Sequence, residues 1–536
     1  MTKNNKKYLL IGIIFIFVFI TTSHADVKLP FIFANNMVLQ RGIEIPVWGW
    51  ADKGEEVTVN FAGQTLKTIT ADENGKWMVK LDPMPVNKNP QSLTISGKNT
   101  ITISNVLVGD VWICSGQSNM GFGLVDCLDS KKEMTNANYP LIRTIVLNAN
   151  YTTWPIEHYR KGPGRWYGKW HECNPKTARS FSAAAYFFAR EIFNETGIPV
   201  GLITTSFGGS KIEAWIPFEG YKKTPELKNI FDKVKEQYPN TPEGKITFQE
   251  YIKNMKKWMK AAEVTVNKGN FPKLPPKLPG IPGKGAHQYP TLLYNAMINP
   301  IKPYAIKGAI WYQGEANGGE NDSYVYKMKA LIESWREAWD QGDFPFYYVQ
   351  LPNFRSCNRK NPAGGFLWTK TREAQLKALS IPNTGMAITI DIGEGKNIHP
   401  RNKQDVGKRL AALALAKLYG KDVVASGPLY KEQKIEGNKI RIFFDYAEGG
   451  LIAGTKDGLN PVKEVNSDTI EWFAIAGEDK KWYWANAKIE KNTVVVFCDK
   501  VQFPVAVRYA YVMNPEGAKL YNKAGIPASP FRTDEW

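Results

Sequence analysis

The residues of this chain that could carry chemistry begin with Ser118 and Asn119, which follow an apolar run ending at Ser115 and Gly116. An apolar strand that runs into a glycine-flanked turn projects its first polar residue at the carboxyl edge of a sheet, where α/β proteins place their reactive groups. The Ser118 hydroxyl is therefore a candidate nucleophile. Serine and asparagine are also preferred helix caps, so the stretch taken alone fits a capping role equally well.

Three further strand-like runs end in polar or glycine-rich turns. They lead to Gly208 and Gly209, to Gln313, and to the loop from Asp391 to His399. The carboxyl ends of parallel strands lie along one edge of a sheet, so these residues are expected to meet Ser118 there. A nucleophile, a general base and oxyanion donors need that convergence.

Attack of a serine hydroxyl on an ester carbonyl requires a base that accepts its proton. His399 is the best candidate because histidine titrates near neutrality without perturbation. The developing oxyanion needs donors, which can be the backbone N–H of Ser118, the backbone N–H of Gly208 or Gly209, and the side-chain amide of Gln313. Loss of one such donor typically costs about 3 to 4 kcal/mol of transition-state stabilisation.

The elements that must position these residues fall into three regions with different patterns of predicted secondary structure. Residues 26–108 contain short alternating runs separated by turn signals, which predict a small N-terminal β-domain of sandwich type. Residues 109–421 alternate strand and helix patterns, which predict an α/β core with a parallel sheet, interrupted by a helical and proline-rich insertion at 220–285. Residues 422–536 return to strand patterns and predict a C-terminal β-domain.

The first 25 residues have the pattern of a secretory signal peptide. Three lysines precede a continuous apolar run over residues 8–20, and a small-x-small cleavage pattern follows at 23–25. The apolar run is short for a membrane span, so cleavage is favoured over anchoring. We therefore expect export to a periplasm or beyond, with no stable membrane insertion after cleavage.

Composition narrows the possible partners. The formal net charge of the 536-residue chain is +18, but the lysines are scattered, and an exported protein rarely meets nucleic acid. The five cysteines lack metal-ligand spacing, and their odd number leaves at least one thiol free. No HExxH motif is present. We expect no nucleic-acid partner and no metal or organic cofactor.

Four sequence blocks, in order along the chain, resemble those of the sialate O-acetylesterase family within the SGNH hydrolase superfamily. The blocks are Gly116-Gln-Ser-Asn-Met, Phe207-Gly-Gly-Ser-Lys-Ile-Glu-Ala-Trp215, Trp311-Tyr-Gln-Gly-Glu-Ala-Asn317 and Ile398-His-Pro-Arg-Asn-Lys-Gln-Asp-Val-Gly-Lys-Arg-Leu410. The first block lacks the second glycine of the G-x-S-x-G elbow, which argues against an ordinary α/β-hydrolase. The resemblance covers roughly residues 105–420.

The resemblance implies an SGNH-like three-layer core with a parallel sheet, flanked by N- and C-terminal β-sandwich-like domains. It also implies that Ser118 is the nucleophile and His399 the base. Gly208 or Gly209 and Gln313 stand at the family's oxyanion positions.

The residue that orients His399 is left open by the sequence. The superfamily's usual aspartate three residues before the histidine is missing, and Lys396 stands in its place. Asp391, Glu394, Glu315 and a backbone carbonyl are the candidates, and Asp391 ranks first because it directly follows a strand. Asn119, Glu315 and Asn317 are expected to support the site, with Glu315 bracing the Gln313 loop as an alternative role.

The predicted function is that of a serine esterase that removes O-acetyl groups from a carbohydrate through an acetyl-Ser118 intermediate. The resemblance implies O-acetylated sialic acids as the substrate. An acetylated plant polysaccharide such as xylan is the alternative substrate. A hypothesis of another class is a non-catalytic glycan-binding surface protein in which the flanking β-domains act.

Overall fold

The computed structural model describes residues 26–64, 66–158, 167–280, 285–467 and 469–536. The predicted signal peptide at residues 1–25 lies outside the described residues. None of the described helices is both long enough and apolar enough to cross a membrane.

The strands before the esterase blocks are β1 (Val38–Gln40), β2 (Ile45–Trp50), β3 (Glu56–Phe61), β4 (Lys67–Thr70), β5 (Lys76–Leu81), β6 (Asn87–Ser96) and β7 (Thr100–Gly116). The strands that follow in the central part are β8 (Tyr139–Val146), β9 (Trp170–Cys173), β10 (Val200–Ser206), β11 (Gly308–Tyr312), β12 (Phe346–Val349) and β13 (Thr384–Ala387). The C-terminal strands are β14 (Leu429–Glu436), β15 (Lys439–Asp445), β16 (Leu451–Thr455), β17 (Lys463–Glu464), β18 (Phe473–Gly477), β19 (Trp482–Trp484), β20 (Asn486–Glu490), β21 (Thr493–Phe497), β22 (Pro504–Tyr509), β23 (Leu520–Asn522) and β24 (Phe531–Arg532).

The α-helices are α1 (Ser118–Gly121), α2 (Ser130–Asn136), α3 (Ala183–Thr196), α4 (Phe218–Lys222), α5 (Lys228–Lys235), α6 (Pro242–Asn267), α7 (Asp322–Trp339), α8 (Trp368–Lys377) and α9 (Lys403–Leu418). Helix α3 begins where the Ser182 hydroxyl accepts a hydrogen bond from the Ala185 N–H. It ends at Gly197, which adopts the left-handed conformation that stops helices.

A parallel sheet forms the centre of the molecule, in the order β13-β12-β11-β7-β10-β8, with β9 antiparallel at the edge. Strand β7 lies in the middle and alternates its side chains between two apolar clusters. Val111 and Ile113 belong to one cluster, and Trp112 and Cys114 belong to the other. This burial on both faces explains the continuous apolar run, which is typical of a parallel strand covered by helices.

Helices cover both faces of this sheet. Residues of α3 and α9, such as Phe187 and Leu410, pack on the face that contains Trp112. Residues of α7, such as Trp335, pack on the other face. The carboxyl ends of β7, β10, β11 and β13 therefore open at one edge between the two helical layers, as the sequence predicts.

Four of the N-terminal strands, β1, β3, β4 and β6, are continuous with this sheet. Strand β7 runs through residue 108, where the sequence predicts a boundary, and its first half pairs with β1 and β6. Strands β2 and β5 form a second, antiparallel sheet. Side chains from both sheets, such as Val47 and Val59, join the apolar cluster that also contains Trp335.

The C-terminal strands form antiparallel sheets in the orders β14-β15-β21-β20, β19-β18-β22-β24 and β17-β16-β23. They enclose an apolar cluster of their own, which includes Ile440, Phe473 and Val507. The fold is thus mixed α/β, with a central sheet and additional antiparallel sheets. All five cysteines are unpaired.

Candidate active site

Ser118 stands at the end of β7 because the chain turns sharply at Gly116. Gly116 has a φ of 138°, and a Cβ placed there would lie 2.2 Å from the Tyr312 carbonyl oxygen of β11. Only glycine allows this close approach of the two strands. The turn makes Ser118 the first residue of α1 and leaves its side chain half-buried at the sheet edge.

His399 lies in the loop that precedes α9, and its Nε2 atom is 2.8 Å from Ser118 Oγ. The two residues are 281 positions apart in the chain. The backbone N–H of His399 donates to Asn397 Oδ1, and the Phe122 ring stacks against the imidazole with centroids 6.3 Å apart. Burial and the nearby Lys403 ammonium lower the pKa of His399, which favours the neutral imidazole that accepts a proton.

Asp391, ranked first to orient His399, is placed elsewhere. Its carboxylate oxygens accept hydrogen bonds from Arg409 Nη1 at 2.6 Å and Nη2 at 2.8 Å. Its side chain is 2% exposed. No hydrogen bond links Asp391 to His399, although the structure describes both. Instead, the carboxylate is held in a bidentate pair with a buried guanidinium.

Gly208 and Gly209 form an exposed turn beside Ser118. A Cβ placed on Gly208 would lie 3.7 Å from Ser118 Cβ, and Gly209 adopts a φ of 69°. Among the described residues, neither backbone N–H has a hydrogen-bond acceptor. Both N–H groups are therefore available to an oxyanion formed at Ser118.

Gln313 was predicted as a side-chain oxyanion donor, but its amide is already occupied. Nε2 donates to the Ser210 carbonyl at 3.0 Å and to Asn317 Oδ1 at 2.8 Å, and Oε1 accepts from the Tyr324 hydroxyl. The side chain is completely buried. Both amide hydrogens are thus used within the protein, which leaves none for a substrate oxygen.

Asn317 supports the same corner of the site. Its Oδ1 also accepts from the Ile212 N–H at 3.0 Å, and its Nδ2 donates to Glu213 Oε2 at 2.8 Å. Gln313 and Asn317 therefore tie the loop after β11 to the segment that follows the Gly208–Gly209 turn.

Asn119, the residue after Ser118, and Glu315 form a second hydrogen-bonded pair at the site. Asn119 Nδ2 donates to Glu315 Oε1 at 2.5 Å and to the Ile398 carbonyl at 3.0 Å. Burial raises the pKa of Glu315 to about 7, against the lowering effect of the Asn119 hydrogen bond. Glu394, another candidate orienter, instead accepts from the Arg401 N–H at 2.7 Å.

Three residues at the site were missed from the sequence. Lys403 donates to Asn119 Oδ1, Phe122 covers the imidazole, and His287 stacks on Phe207 with ring centroids 4.9 Å apart. Lys403 lies inside the fourth sequence block, four residues after His399, and that spacing was the available signal. No group of three or more metal-ligating side chains is arranged to hold an ion in the part of the chain that is described.

A parallel sheet with a hydroxyl–imidazole pair at its carboxyl edge and free backbone donors beside it is an arrangement that suits acyl transfer. The family model described as "Carbohydrate esterase, sialic acid-specific acetylesterase" matches residues 108–272 and 282–416. The chain belongs to this family, and the predicted resemblance is confirmed.

Named relatives agree with the family assignment. Sialate O-acetylesterase of Mus musculus is 29% identical over 539 residues, covering 93% of this chain and 92% of the relative. The Homo sapiens protein of the same name is 28% identical, covering 93% and 90%. The crystal structure of XAC1771, "a novel carbohydrate acetylesterase from Xanthomonas citri", aligns with a TM-score of 0.77 and 32% identity, covering 95% of this chain and all of that one.

Proposed function

We propose that this carbohydrate esterase is a serine hydrolase that removes O-acetyl groups through an acetyl-Ser118 intermediate. The observation that carries the proposal is the 2.8 Å separation of Ser118 Oγ and His399 Nε2. A neutral imidazole at this distance accepts the hydroxyl proton as the oxygen attacks.

In the first step, Ser118 Oγ bonds to the acetyl carbonyl carbon while His399 Nε2 takes the hydroxyl proton. The backbone N–H groups of Ser118, Gly208 and Gly209 stabilise the oxyanion. The tetrahedral intermediate then expels the sugar oxygen, which receives the proton from His399. In the second step, His399 takes a proton from water as the water oxygen bonds to the acyl carbon. The bond to Ser118 Oγ then breaks, acetate leaves, and His399 returns the proton to Oγ.

The catalytic pair acts as a dyad in this proposal. No hydrogen bond from a described residue reaches Nδ1 of His399, and the carboxylates of Asp391 and Glu394 are bonded to Arg409 and to the Arg401 segment. Packing against Phe122 and the bonded backbone on both sides of His399 hold the ring instead.

We propose O-acetylated sialic acids as the substrate, because the matched family and the mouse and human relatives carry that name. An acetylated polysaccharide is the second candidate, favoured by the likeness to a Xanthomonas citri enzyme titled only as a carbohydrate acetylesterase. Acetate release from O-acetylated sialosides and from acetylated xylan, measured side by side, separates the two. Faster release from the sialosides supports the first proposal, and faster release from xylan overturns it.

The nucleophile and base are tested with Ser118→Ala and His399→Ala on 4-nitrophenyl acetate. Each variant is expected to lower kcat by at least about 1,000-fold, because neither residue works without the other. Ser104→Ala, at an exposed serine in β7, is the control and should keep wild-type activity. Wild-type kcat in Ser118→Ala would contradict the mechanism.

We also propose that the enzyme is exported after cleavage following Ala25. The pattern of lysines, apolar run and small residues in positions 1–25 supports this. N-terminal sequencing of the enzyme recovered outside the cytoplasm should begin at Asp26, and an intact Met1 there would overturn the proposal.

A further inference from the structure

The catalytic pair does not use a lysine that is buried next to it. Lys403, the first residue of α9, is completely buried. Its Nζ donates to Asn119 Oδ1 at 2.8 Å and to the Pro400 carbonyl at 2.5 Å. The ammonium also lies 4.7 Å from the Phe122 ring centroid and 5.3 Å from that of Tyr312. A cation in such surroundings requires compensation.

Glu315 supplies the opposite charge through Asn119. One oxygen, Oε1, accepts from Asn119 Nδ2 at 2.5 Å. The other oxygen, Oε2, is buried and has no hydrogen-bond partner among the described residues. Asn119 thus bonds to the carboxylate with its amide nitrogen and to the ammonium with its amide oxygen. We call Asn119, Glu315 and Lys403 the positioning cluster.

The cluster holds the backbone on both sides of the base. Asn119 Nδ2 donates to the carbonyl of Ile398, the residue before His399, and Lys403 Nζ donates to the carbonyl of Pro400, the residue after it. Asn119 itself directly follows Ser118. The loop of the base is therefore bonded on both flanks to the residue adjoining the nucleophile.

We propose that Lys403 and Glu315 are positioning residues for the acyl-transfer reaction, and that their Asn119-bridged charge pair fixes the distance between His399 and Ser118. This inference rests on the proposed function. A displacement of about 1 Å in a reacting group can cost on the order of 100-fold in rate, so a tether of this kind affects kcat rather than substrate affinity.

The positive charge of Lys403 also affects the pKa of His399. The groups that face Lys403 are the carboxylates of Glu315 and Glu394 and the Cys127 thiol, and burial lowers the pKa of Lys403 to about 7. Two causes lower the pKa of His399: burial is the larger, and the Lys403 ammonium is the second. The protonated imidazolium is repelled by this cation. Removal of the cation should therefore raise the pKa of His399.

The test compares Lys403→Met, Glu315→Gln and the double variant on 4-nitrophenyl acetate between pH 5 and 9. Lys403→Met is expected to lower kcat by about 100-fold with KM near the wild-type value. The acid limb of its kcat/KM profile should move to higher pH. The double variant should retain more activity than the product of the single losses, because neither charge is then left uncompensated.

The matched control is Lys456→Met, which removes another lysine paired with α9. Lys456 Nζ lies 2.7 Å from Asp405 Oδ2 and donates to the Asn460 carbonyl at 2.6 Å, and its side chain is 6% exposed. Among the described residues, it has no hydrogen bond or ion pair with Ser118, His399 or the positioning cluster. This variant should keep the wild-type kcat and pH profile. A melting temperature measured for every variant separates lost folding from lost positioning.

Unchanged kcat and an unmoved acid limb in Lys403→Met would overturn the positioning role. If Lys403→Met does not fold, Glu315→Gln decides: a kcat loss of about tenfold supports the role, and a kcat within about twofold of wild type overturns it. Failure of the proposed function gives a different result, because wild-type activity would then survive in Ser118→Ala.

Discussion

At the scale of single residues, the polar groups of the candidate site differ in whether they are already hydrogen-bonded to buried partners within the protein. Ser118, His399 and the Gly208–Gly209 turn have free or mutually directed polar atoms. Asp391 and Gln313 have chemically suitable side chains, yet their polar atoms are bonded to buried partners. Residue type alone does not make a catalytic group, because a side chain bonded elsewhere cannot also bind the reacting atoms.

Asp391→Asn tests this distinction. The substitution leaves the buried Arg409 guanidinium uncompensated. The free energy of unfolding, measured by urea denaturation, should therefore fall by about 3 kcal/mol. The kcat and the acid limb of the kcat/KM profile should stay at their wild-type values. Asp232→Asn, in an exposed pair with Lys228, should leave the stability close to that of the wild type. A large loss of kcat in Asp391→Asn would show that Asp391 orients His399 after all.

At the scale of elements, strand β7 connects most of what the site needs. It lies in the centre of the parallel sheet, pairs with β10 and β11 on its two sides, and ends at the turn before Ser118. The loops after β10 and β11 are then joined through Gln313 and Asn317. The position of Ser118 therefore depends on the close approach of β7 and β11.

Gly116→Ala tests the dependence on this approach. A Cβ there meets the Tyr312 carbonyl in addition to the strain of a φ of 138°. The control is Gly42→Ala, where φ is 76° and no atom lies near the added Cβ, so only the backbone strain of about 1 to 2 kcal/mol applies. We expect Gly116→Ala to lower the free energy of unfolding by more than this. The kcat should fall only in Gly116→Ala. Equal stability losses with equal kcat would contradict this account.

At the scale of the whole molecule, polar contacts fasten the C-terminal sheets to the central part. Arg372 of α8 is completely buried, and its Nη2 donates to the carbonyls of Val512 and Met513. Gln350 Nε2 donates to Ser529 Oγ at 2.9 Å. We propose that residues 422–536 form a C-terminal β-domain that stabilises the esterase part, and the separate apolar cluster of its strands supports this division.

Arg372→Lys tests this fastening. Lysine lacks the planar fork of the guanidinium, so at least one buried carbonyl should lose its donor. The free energy of unfolding is expected to fall by about 3 kcal/mol, measured by urea denaturation. Arg359→Lys, at a half-exposed arginine paired with Glu471, is the control and should cost less than about 1 kcal/mol. If the two variants unfold at the same urea concentration, Arg372 does not hold the C-terminal sheets to the central part.

The sequence by itself determined the class of fold, the four strand ends and the pairing of Ser118 with His399. Continuous apolar runs that end in polar turns are local patterns, and the geometry of a parallel sheet places their carboxyl ends together. Four family blocks in chain order added the esterase class. The continuity of N-terminal strands with the central sheet was not readable from the sequence, because it depends on strand pairing along the 17-residue β7, which crosses the predicted boundary at residue 108.

Only the tertiary structure decided which polar side chains are free to act. The Asp391 carboxylate accepts hydrogen bonds from Arg409, and the Gln313 amide donates its hydrogens to Ser210 and Asn317. Lys403 reaches Asn119 across 284 positions of sequence. Periodicity and composition describe what neighbours along the chain have in common, whereas the choice of a hydrogen-bond partner depends on distances between residues that the fold alone brings together.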